Sequence, residues 1–349
     1  MSGLTSEQIS AALAGVVVPK VAKSLVELGV VRDVIVKEGD VKLLLHFNIA
    51  AYASKSDVRD WATKAVSALP GVRSVQTEFV ASDAAQARKQ APSAKRRTVQ
   101  LPQVGCILAV FSGKGGVGKS TVSANLSVAL ASLGEQVGLF DADLHGPSIP
   151  KIMGLMDRPR MEENKMLPLE RHGVKTMSVG FLVEETEPLI WRGPMITKGI
   201  NELLQTTKWG PLDFLILDMP PGTGDAPLGL AQDVRLDGSI AVTTPQDVAL
   251  ADVRRGIAAF RKLEVPVWGI VENMAYLRCP HCDHIIEMFG SGNVDKESQA
   301  QGIPVLGRLP LDPLLSKTSD EGVPIVSAQP DHPVSREFMR IAEEIIKHV

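Results

Sequence analysis

The stretch Phe111-Ser112-Gly113-Lys114-Gly115-Gly116-Val117-Gly118-Lys119-Ser120-Thr121 follows the phosphate-loop spacing of Gly, four residues, then Gly-Lys-Ser. It holds a further lysine, Lys114, directly after its first glycine. Ile107-Leu108-Ala109-Val110-Phe111 ahead of it reads as a strand, and Thr121 to Leu133 behind it reads as a helix. Strand, loop and helix in that order are the context such a loop requires. Glycines let backbone N–H groups converge on phosphate oxygens, and the start of the following helix favours negative charge. The residues from Gly113 to Thr121, namely Gly113, Lys114, Gly115, Gly116, Val117, Gly118, Lys119, Ser120 and Thr121, are therefore the expected nucleotide contacts. Lys119 is expected at the β- and γ-phosphates and the Ser120 hydroxyl on Mg2+.

From Val104 onward strand and helix patterns alternate, which predicts an α/β domain with a mostly parallel sheet wrapped by helices. Expected strands are 137–140, 213–218, 239–243, 267–271 and 305–308, with helices over 248–263 and 336–348. Phe338, Ile341 and Ile345 give that last helix an apolar face suited to packing on the domain. Functional groups gather at the carboxyl edge of such a sheet. Asp218 stands at one strand end, where a carboxylate orients the magnesium shell. The following Met219-Pro220-Pro221-Gly222-Thr223-Gly224-Asp225 suits a loop that senses the γ-phosphate. Asp141 and Asp143 end another strand; Asp143 is expected beside the attacking water and Asp141 in support of the magnesium site. A second lysine in the loop, Lys114, is worth most if it reaches the nucleotide of a facing subunit and offsets transition-state charge.

Ahead of this domain, residues 1–80 read as a small α+β domain of order helix, strand, strand, helix, strand. A helical segment begins at Ile9, and Pro19 to Leu28 is expected to add a second helical turn or two, ending at Gly29. Strands at 30–36 and 41–47 flank the turn Glu38-Gly39-Asp40, and a helix over 56–69 leads to a strand over 72–80. Residues 81–103 are rich in Ala, Ser, Gln, Lys and Arg and read as a basic flexible linker. The chain of 349 residues has 44% hydrophobic and 22% charged residues, so it is not disordered throughout. A net charge of −3 gives no general case for nucleic acid or an anionic membrane as partner. No secretory leader and no bilayer-length apolar run are evident, and three cysteines make no disulfide framework, so a cytoplasmic setting is expected.

Cys279-Pro280-His281-Cys282 is the second informative stretch. Two cysteines at this spacing suit zinc, an iron–sulfur cluster or a redox pair. A tetrahedral site needs four ligands, and Cys106, just ahead of the loop's strand, reads as a small buried residue. Either His281 or His284 completes a zinc site within one chain, or two chains meet at a two-fold axis and each supplies Cys279 and Cys282.

Gly113-Lys114-Gly115-Gly116-Val117-Gly118-Lys119-Ser120 resembles the deviant Walker A motif of the MinD, ParA and nitrogenase iron protein class. The resemblance implies that Lys114 acts across a nucleotide-sandwich dimer, that Asp143 activates water, and that Asn273 lies beside the adenine, with Pro310 and Asp312 as further base-side candidates. With the cysteine pair added, residues 104–349 resemble the Mrp/ApbC-type iron–sulfur cluster carrier ATPases. Asp141 to Pro150, Trp191-Arg192-Gly193-Pro194-Met195, Met219 to Asp225 and Val271-Glu272-Asn273-Met274 match that family too. Residues 1–80 resemble the MIP18-like domain often fused ahead of it, but Asn48 to Ser54 lacks the cysteine common there, which favours docking or regulation over metal binding. The resemblance implies a homodimeric ATP hydrolase that uses ATP and Mg2+ and carries a [4Fe–4S] cluster bridged by Cys279 and Cys282 of both chains. Its expected partners are a cluster-assembly scaffold and apo client proteins. The competing expectation is a MinD/ParA-like spatial organiser with structural zinc at the cysteine pair. An electron-transfer ATPase like nitrogenase iron protein ranks last, since the cluster cysteines of that relative are far apart in sequence.

Overall fold

The structure, a computed structural model, describes residues 5–19, 22–37, 39–46, 53–79, 99–144, 146–181, 193–279 and 281–349. Two compact units emerge, Ala94–Glu344 and Met1–Ser93 together with Ile345–Val349. Residues 81–98 of the expected linker, residues 48–52 of the cysteine-free stretch, and Trp191 and Arg192 lie outside the described residues.

In the N-terminal unit the elements are α1 (Ser6–Ala14), β1 (Val17–Val18), β2 (Lys23–Ser24), β3 (Val31–Lys37), β4 (Asp40–Leu45), α2 (Lys55–Ser67) and β5 (Ser74–Phe79). Each helix opens on a capping box, Thr5 with Gln8 and Ser54 with Asp57, which satisfies amides that a helix start otherwise leaves unpaired. β3 and β4 pair antiparallel, β4 and β5 parallel. Alternate residues Val41, Leu43 and Leu45 point from β4 into a core with Ile9, Leu13, Val58, Ala62 and Val66. Of the helical turn or two expected between Pro19 and Gly29, one forms, the Leu28 amide donating to the Ser24 carbonyl at 3.0 Å. Val17 and Val18 pair antiparallel with Ser24 and Lys23. Ser24 and Glu27 exchange hydrogen bonds of 2.7 and 3.2 Å, which starts a turn, but Gly29 at φ +67° ends it within a few residues. So short a turn cannot repay helix nucleation.

The larger unit contributes β6 (Val104–Ser112), α3 (Lys119–Ser132), β7 (Val137–Asp141), α4 (Ile149–Met153), β8 (Met161–Glu162), β9 (Lys165–Met166), β10 (Leu169–Arg171) and β11 (Val174–Ser178). It continues with α5 (Gly193–Thr206), β12 (Leu212–Asp218), α6 (Asp225–Asp233), β13 (Gly238–Thr243), α7 (Asp247–Lys262) and β14 (Val267–Glu272). The remainder is β15 (Leu277–Arg278), β16 (Ile285–Ile286), α8 (Asn293–Gln301), β17 (Val305–Arg308), α9 (Pro313–Asp320), α10 (Ile325–Ala328) and α11 (Pro333–Ile346). Eight strands form one sheet in the order β10-β11-β7-β12-β6-β13-β14-β17. Every pairing in it is parallel except that of β10 with β11, so the mostly parallel α/β fold stands as the sequence implied. The central strands are near-continuous apolar runs because helices cover both faces. Phe111 of β6 stacks on Phe260 of α7 at 4.3 Å, fastening that helix to the central strand. β11 joins the sheet although the sequence reading passed over it; Lys175, Thr176 and Ser178 dilute its apolar signal. Its Ser178 matters below.

Parallel order sets all the carboxyl ends on one edge. β6 ends in the phosphate loop, β7 in Asp141 and β12 in Asp218, while β14 runs on through Asn273 towards the cysteines. Among the described residues no helix is long and apolar enough to cross a membrane.

Candidate functional site

The loop between β6 and α3 is shaped by what presses on it. Gly118, at φ +82°, starts α3 with no side-chain cap and no acidic residue in the first turn, which leaves the first amides for an anion. Gly113 has a different reason for being glycine. A Cβ there would lie 2.4 Å from the Asp252 Cβ and 2.6 Å from the Val253 nitrogen, because α7 crosses directly against it. Gly115 has open space around it.

Lys119 is buried, and its Nζ lies 2.7 Å from Asp218 Oδ2. The Ser120 hydroxyl donates to the same oxygen at 2.5 Å, and the Ser123 hydroxyl donates to Asp218 Oδ1 at 2.7 Å. The structure thus brings together the lysine, serine and strand-end carboxylate expected around phosphate and Mg2+. A buried carboxylate, a second one beside it and a serine hydroxyl form an all-oxygen donor set of the kind Mg2+ prefers. Ser123 escaped the sequence reading; it stands one turn beyond the motif, on the α3 face towards β12.

Asp141 is fully buried and pairs in register with Asp218 across β7 and β12. It accepts hydrogen bonds from the Asp143 amide at 3.0 Å, the Ile149 amide at 3.3 Å and the Ser178 hydroxyl at 3.0 Å. Burial first, and the neighbouring Asp218 charge second, push its carboxyl up to about 7. Asp143 sits half-buried at the mouth of the same edge. Its amide, fixed by Asp141, orients the segment that carries it. Across the loop, the Lys114 ammonium donates to Gln246 Oε1 at 3.4 Å, and the Ser112 hydroxyl holds the Lys114 carbonyl at 2.9 Å. Gln246, the residue before α7, is a second partner the sequence did not reveal. Gly222 of the expected sensing loop donates its amide to the Ser112 carbonyl at 3.0 Å, so that loop touches the phosphate loop directly.

Asn273 is buried and donates from Nδ2 to the Val117 carbonyl at 2.8 Å. Its Oδ1 and the Thr244 hydroxyl, at neighbouring strand ends, are buried with no hydrogen-bond partner among the described residues. Buried acceptors of that kind ask for a ligand or water. Pro310 lies alongside, because Leu309 and Leu311 pair with Ala275 and Tyr276 at 2.9 and 2.7 Å. Asp312 is otherwise engaged. It is the N-cap of α9, accepting from the Leu314 and Leu315 amides, which is a structural use for its carboxylate.

The cysteine pair sits at the tip of the β15–β16 hairpin. The Cys279 amide donates to the His284 carbonyl at 2.9 Å, and the Asp283 amide to the Cys279 carbonyl at 3.0 Å. Asp283 closes the turn at φ +58°. Backbone amides of His281 and then Cys282, followed by the Cys282 side chain, hold the Cys279 thiol below its usual range, towards the thiolate that a metal or cluster takes. Residues 281–288 are all exposed, Ile285, Ile286 and Met288 among them. Among the described residues no three His, Cys, Asp or Glu side chains converge to hold a metal. Cys106 is buried within β6, as its position suggested.

Residues 103–346 match the family described as NUBPL iron-transfer P-loop NTPase, and residues 6–77 match the family described as iron–sulfur cluster assembly protein. An iron–sulfur cluster carrier protein of Synechocystis is 42% identical over 348 residues, covering 98% of this chain and 97% of the relative. The iron–sulfur cluster carrier protein of Aquifex aeolicus is 44% identical over 301 residues, 82% of this chain and 83% of that one. Among solved structures, a nucleotide-binding protein of Archaeoglobus fulgidus in complex with ADP superposes with a TM-score of 0.59 at 39% identity, covering 68% of this chain and 93% of its own. The cell division ATPase MinD of Pyrococcus furiosus gives a TM-score of 0.54 at 25% identity, over 70% of this chain and 99% of its own.

Proposed function

The chain belongs to the NUBPL iron-transfer P-loop NTPase family, and from that premise we propose that it hydrolyses ATP with Mg2+ and carries a [4Fe–4S] cluster to apo proteins. The observation that carries the reading is the cysteine pair, half-buried Cys279 and exposed Cys282, which among the described residues converges with no third metal-ligating side chain, on the same unit as the joined Lys119–Asp218 phosphate site. Four thiolates are reached when a second copy presents the same hairpin across a two-fold axis. Ile285, Ile286 and Met288 flank the cysteines and supply an apolar surface for that second copy to cover.

Within the phosphate site, Lys119 neutralises the β- and γ-phosphates, and Ser120 with Asp218 would hold Mg2+. Mg2+, when bound, offsets charge on the transferring phosphoryl group. Asp143 orients the attacking water, and Asp141 stands behind it as the buried partner of the magnesium carboxylate. Lys114 releases Gln246 and reaches the nucleotide of the facing chain. Asn273 Oδ1 and Pro310 frame the base. We read residues 1–80 as a docking domain for the cluster-assembly scaffold or clients, 81–103 as its linker and 104–349 as the ATPase, acting in the cytoplasm.

The test is anaerobic reconstitution of the full chain beside a Cys279→Ala/Cys282→Ala variant. The wild type is expected to take up one cluster per dimer and the variant none. Equal iron and sulfide in both would sink the carrier reading, and zinc at one per chain in the protein as isolated would favour a MinD-like organiser.

A further inference from the structure

The cysteine hairpin belongs to an insertion that leaves the core after Asn273 and returns to it at Asn293, and each of these asparagines ties one end to the nucleotide edge. At the departing end, Asn273 Nδ2 donates to the Val117 carbonyl in the phosphate loop at 2.8 Å. Gly118 lies so close beneath that amide that a Cβ would stand 2.2 Å from it. At the returning end, Asn293, the first residue of α8, donates from Nδ2 to the Pro245 carbonyl at 3.4 Å. Pro245 precedes Gln246, the residue that holds Lys114. On the hairpin side of each asparagine the backbone turns left-handed, Met274 at φ +54° and Gly292 at φ +73°. The two ends differ in one respect. Backbone pairing of Ala275 and Tyr276 with Leu309 and Leu311 clamps the departing end further. At the returning end, Arg254 of α7 pairs with Glu297 of α8, which ties the two helices together near their middles and leaves the Asn293 contact as the link at the start of α8.

We propose that Asn293 is a positioning residue that couples occupancy of the phosphate loop to the cysteine hairpin. When Lys114 leaves Gln246 for a phosphate, the Pro245–Gln246 turn is freed to shift. Asn293 carries that shift to Gly292 and back along the segment that leads to Cys282. The contacts of Lys114 with Gln246 and of Asn293 with Pro245 are both at the long end of hydrogen bonding, and so yield to a small movement. The departing end, held through the backbone of Ala275 and Tyr276 as well as by Asn273, acts as the fixed side of the pivot, while the Arg254–Glu297 pair keeps the body of α8 in place as its first residue shifts. This inference rests on the hairpin being the cargo site, and names the path by which nucleotide acts on it.

The measurement is the rate of iodoacetamide alkylation of Cys279 and Cys282 in the full chain without a cluster, with no nucleotide, with Mg-ADP and with a non-hydrolysable Mg-ATP analogue. Asn293→Asp keeps the size, loses the donor and suits a helix start, so it should fold; Asn293→Gln keeps the donor. In the wild type the alkylation rate should differ by about 5-fold between nucleotide states, the low end of ordinary coupling between sites. Asn293→Asp should lose that difference while binding nucleotide as tightly as wild type, and Asn293→Gln should retain part of it. A response of wild-type size in Asn293→Asp, or none in the wild type, overturns the coupling. Cluster uptake is scored separately. A wild type that takes up no cluster fails the carrier reading and leaves the alkylation result to judge the coupling alone.

Discussion

The phosphate end of the sheet and the cysteine hairpin are opposites in construction. Around Asp218 the groups are already joined: buried Lys119 and Ser123 and half-buried Ser120 all reach the same carboxylate. The hairpin is an exposed turn with two sulfurs, neighbouring apolar side chains and no further ligand among the described residues. One site has its lysine, serines and carboxylate joined within a chain, and under the proposed function only Lys114 comes to it from the facing copy. The other, under the proposed function, supplies half of a shared set of ligands. The contrast teaches that nucleotide binding is a property of the single chain, whereas anything held by four thiolates is a property of an assembly.

The sharpest way to break that contrast is Lys119→Ala. We expect it to abolish nucleotide binding by calorimetry while leaving cluster uptake at the hairpin intact; loss of both together would mean the two sites are not separable. Lys114→Ala should keep nucleotide binding and lower turnover by about 1,000-fold, the smaller end of what a cationic finger contributes. Normal turnover in steady-state phosphate release would confine Lys114 to its contact with Gln246. Ser123→Ala removes one hydrogen bond from a buried carboxylate, so the metal-free protein should lose about 1–3 kcal/mol in urea unfolding. No loss there would show that the Asp218 site is less tightly joined than its geometry implies.

The gentlest test is pH. The folded-state value of Asp141, about 7, lies above its ordinary 3.8, so the folded chain favours the protonated form. That stabilisation is complete below about pH 4 and is lost as pH climbs through about 7. Metal-free protein should therefore lose melting temperature across that window through this group, and Asp141→Asn should flatten the slope. An unchanged slope in the variant would assign the pH response elsewhere.

Much of this was legible in the chain. The loop, its flanking strand and helix, and the aspartates at strand ends are local patterns, and local patterns survive in one dimension. The partners that finish the site are not local. Ser123 lies 95 residues from Asp218, Ser178 lies 37 from Asp141, Gln246 lies 132 from Lys114, and Asn293 lies 48 from Pro245. Serine, glutamine and asparagine are common enough at turns and on helix faces that nothing marks these four until the sheet brings them in. Between Pro19 and Gly29 a helical turn forms and goes no further. Its helix-start signal at Ser24 and Glu27 is real, but Gly29 follows too soon for propagation to offset nucleation. Asp312 is a base-side candidate through the resemblance alone, and its helix-capping use of Oδ1 shows only once the fold is known.

Gly113 and Gly115 look alike in the motif but stand in different surroundings. The first faces the backbone of α7 at less than contact distance, and the second faces empty space. A saturation library scored twice, once for soluble expression and once for nucleotide retention, should separate them. Substitutions at Gly113 would already be depleted in the first score, whereas those at Gly115 would vanish only in the second. A loop commonly treated as one functional signature would then divide into a position under selection for assembly of the fold and one under selection for the ligand.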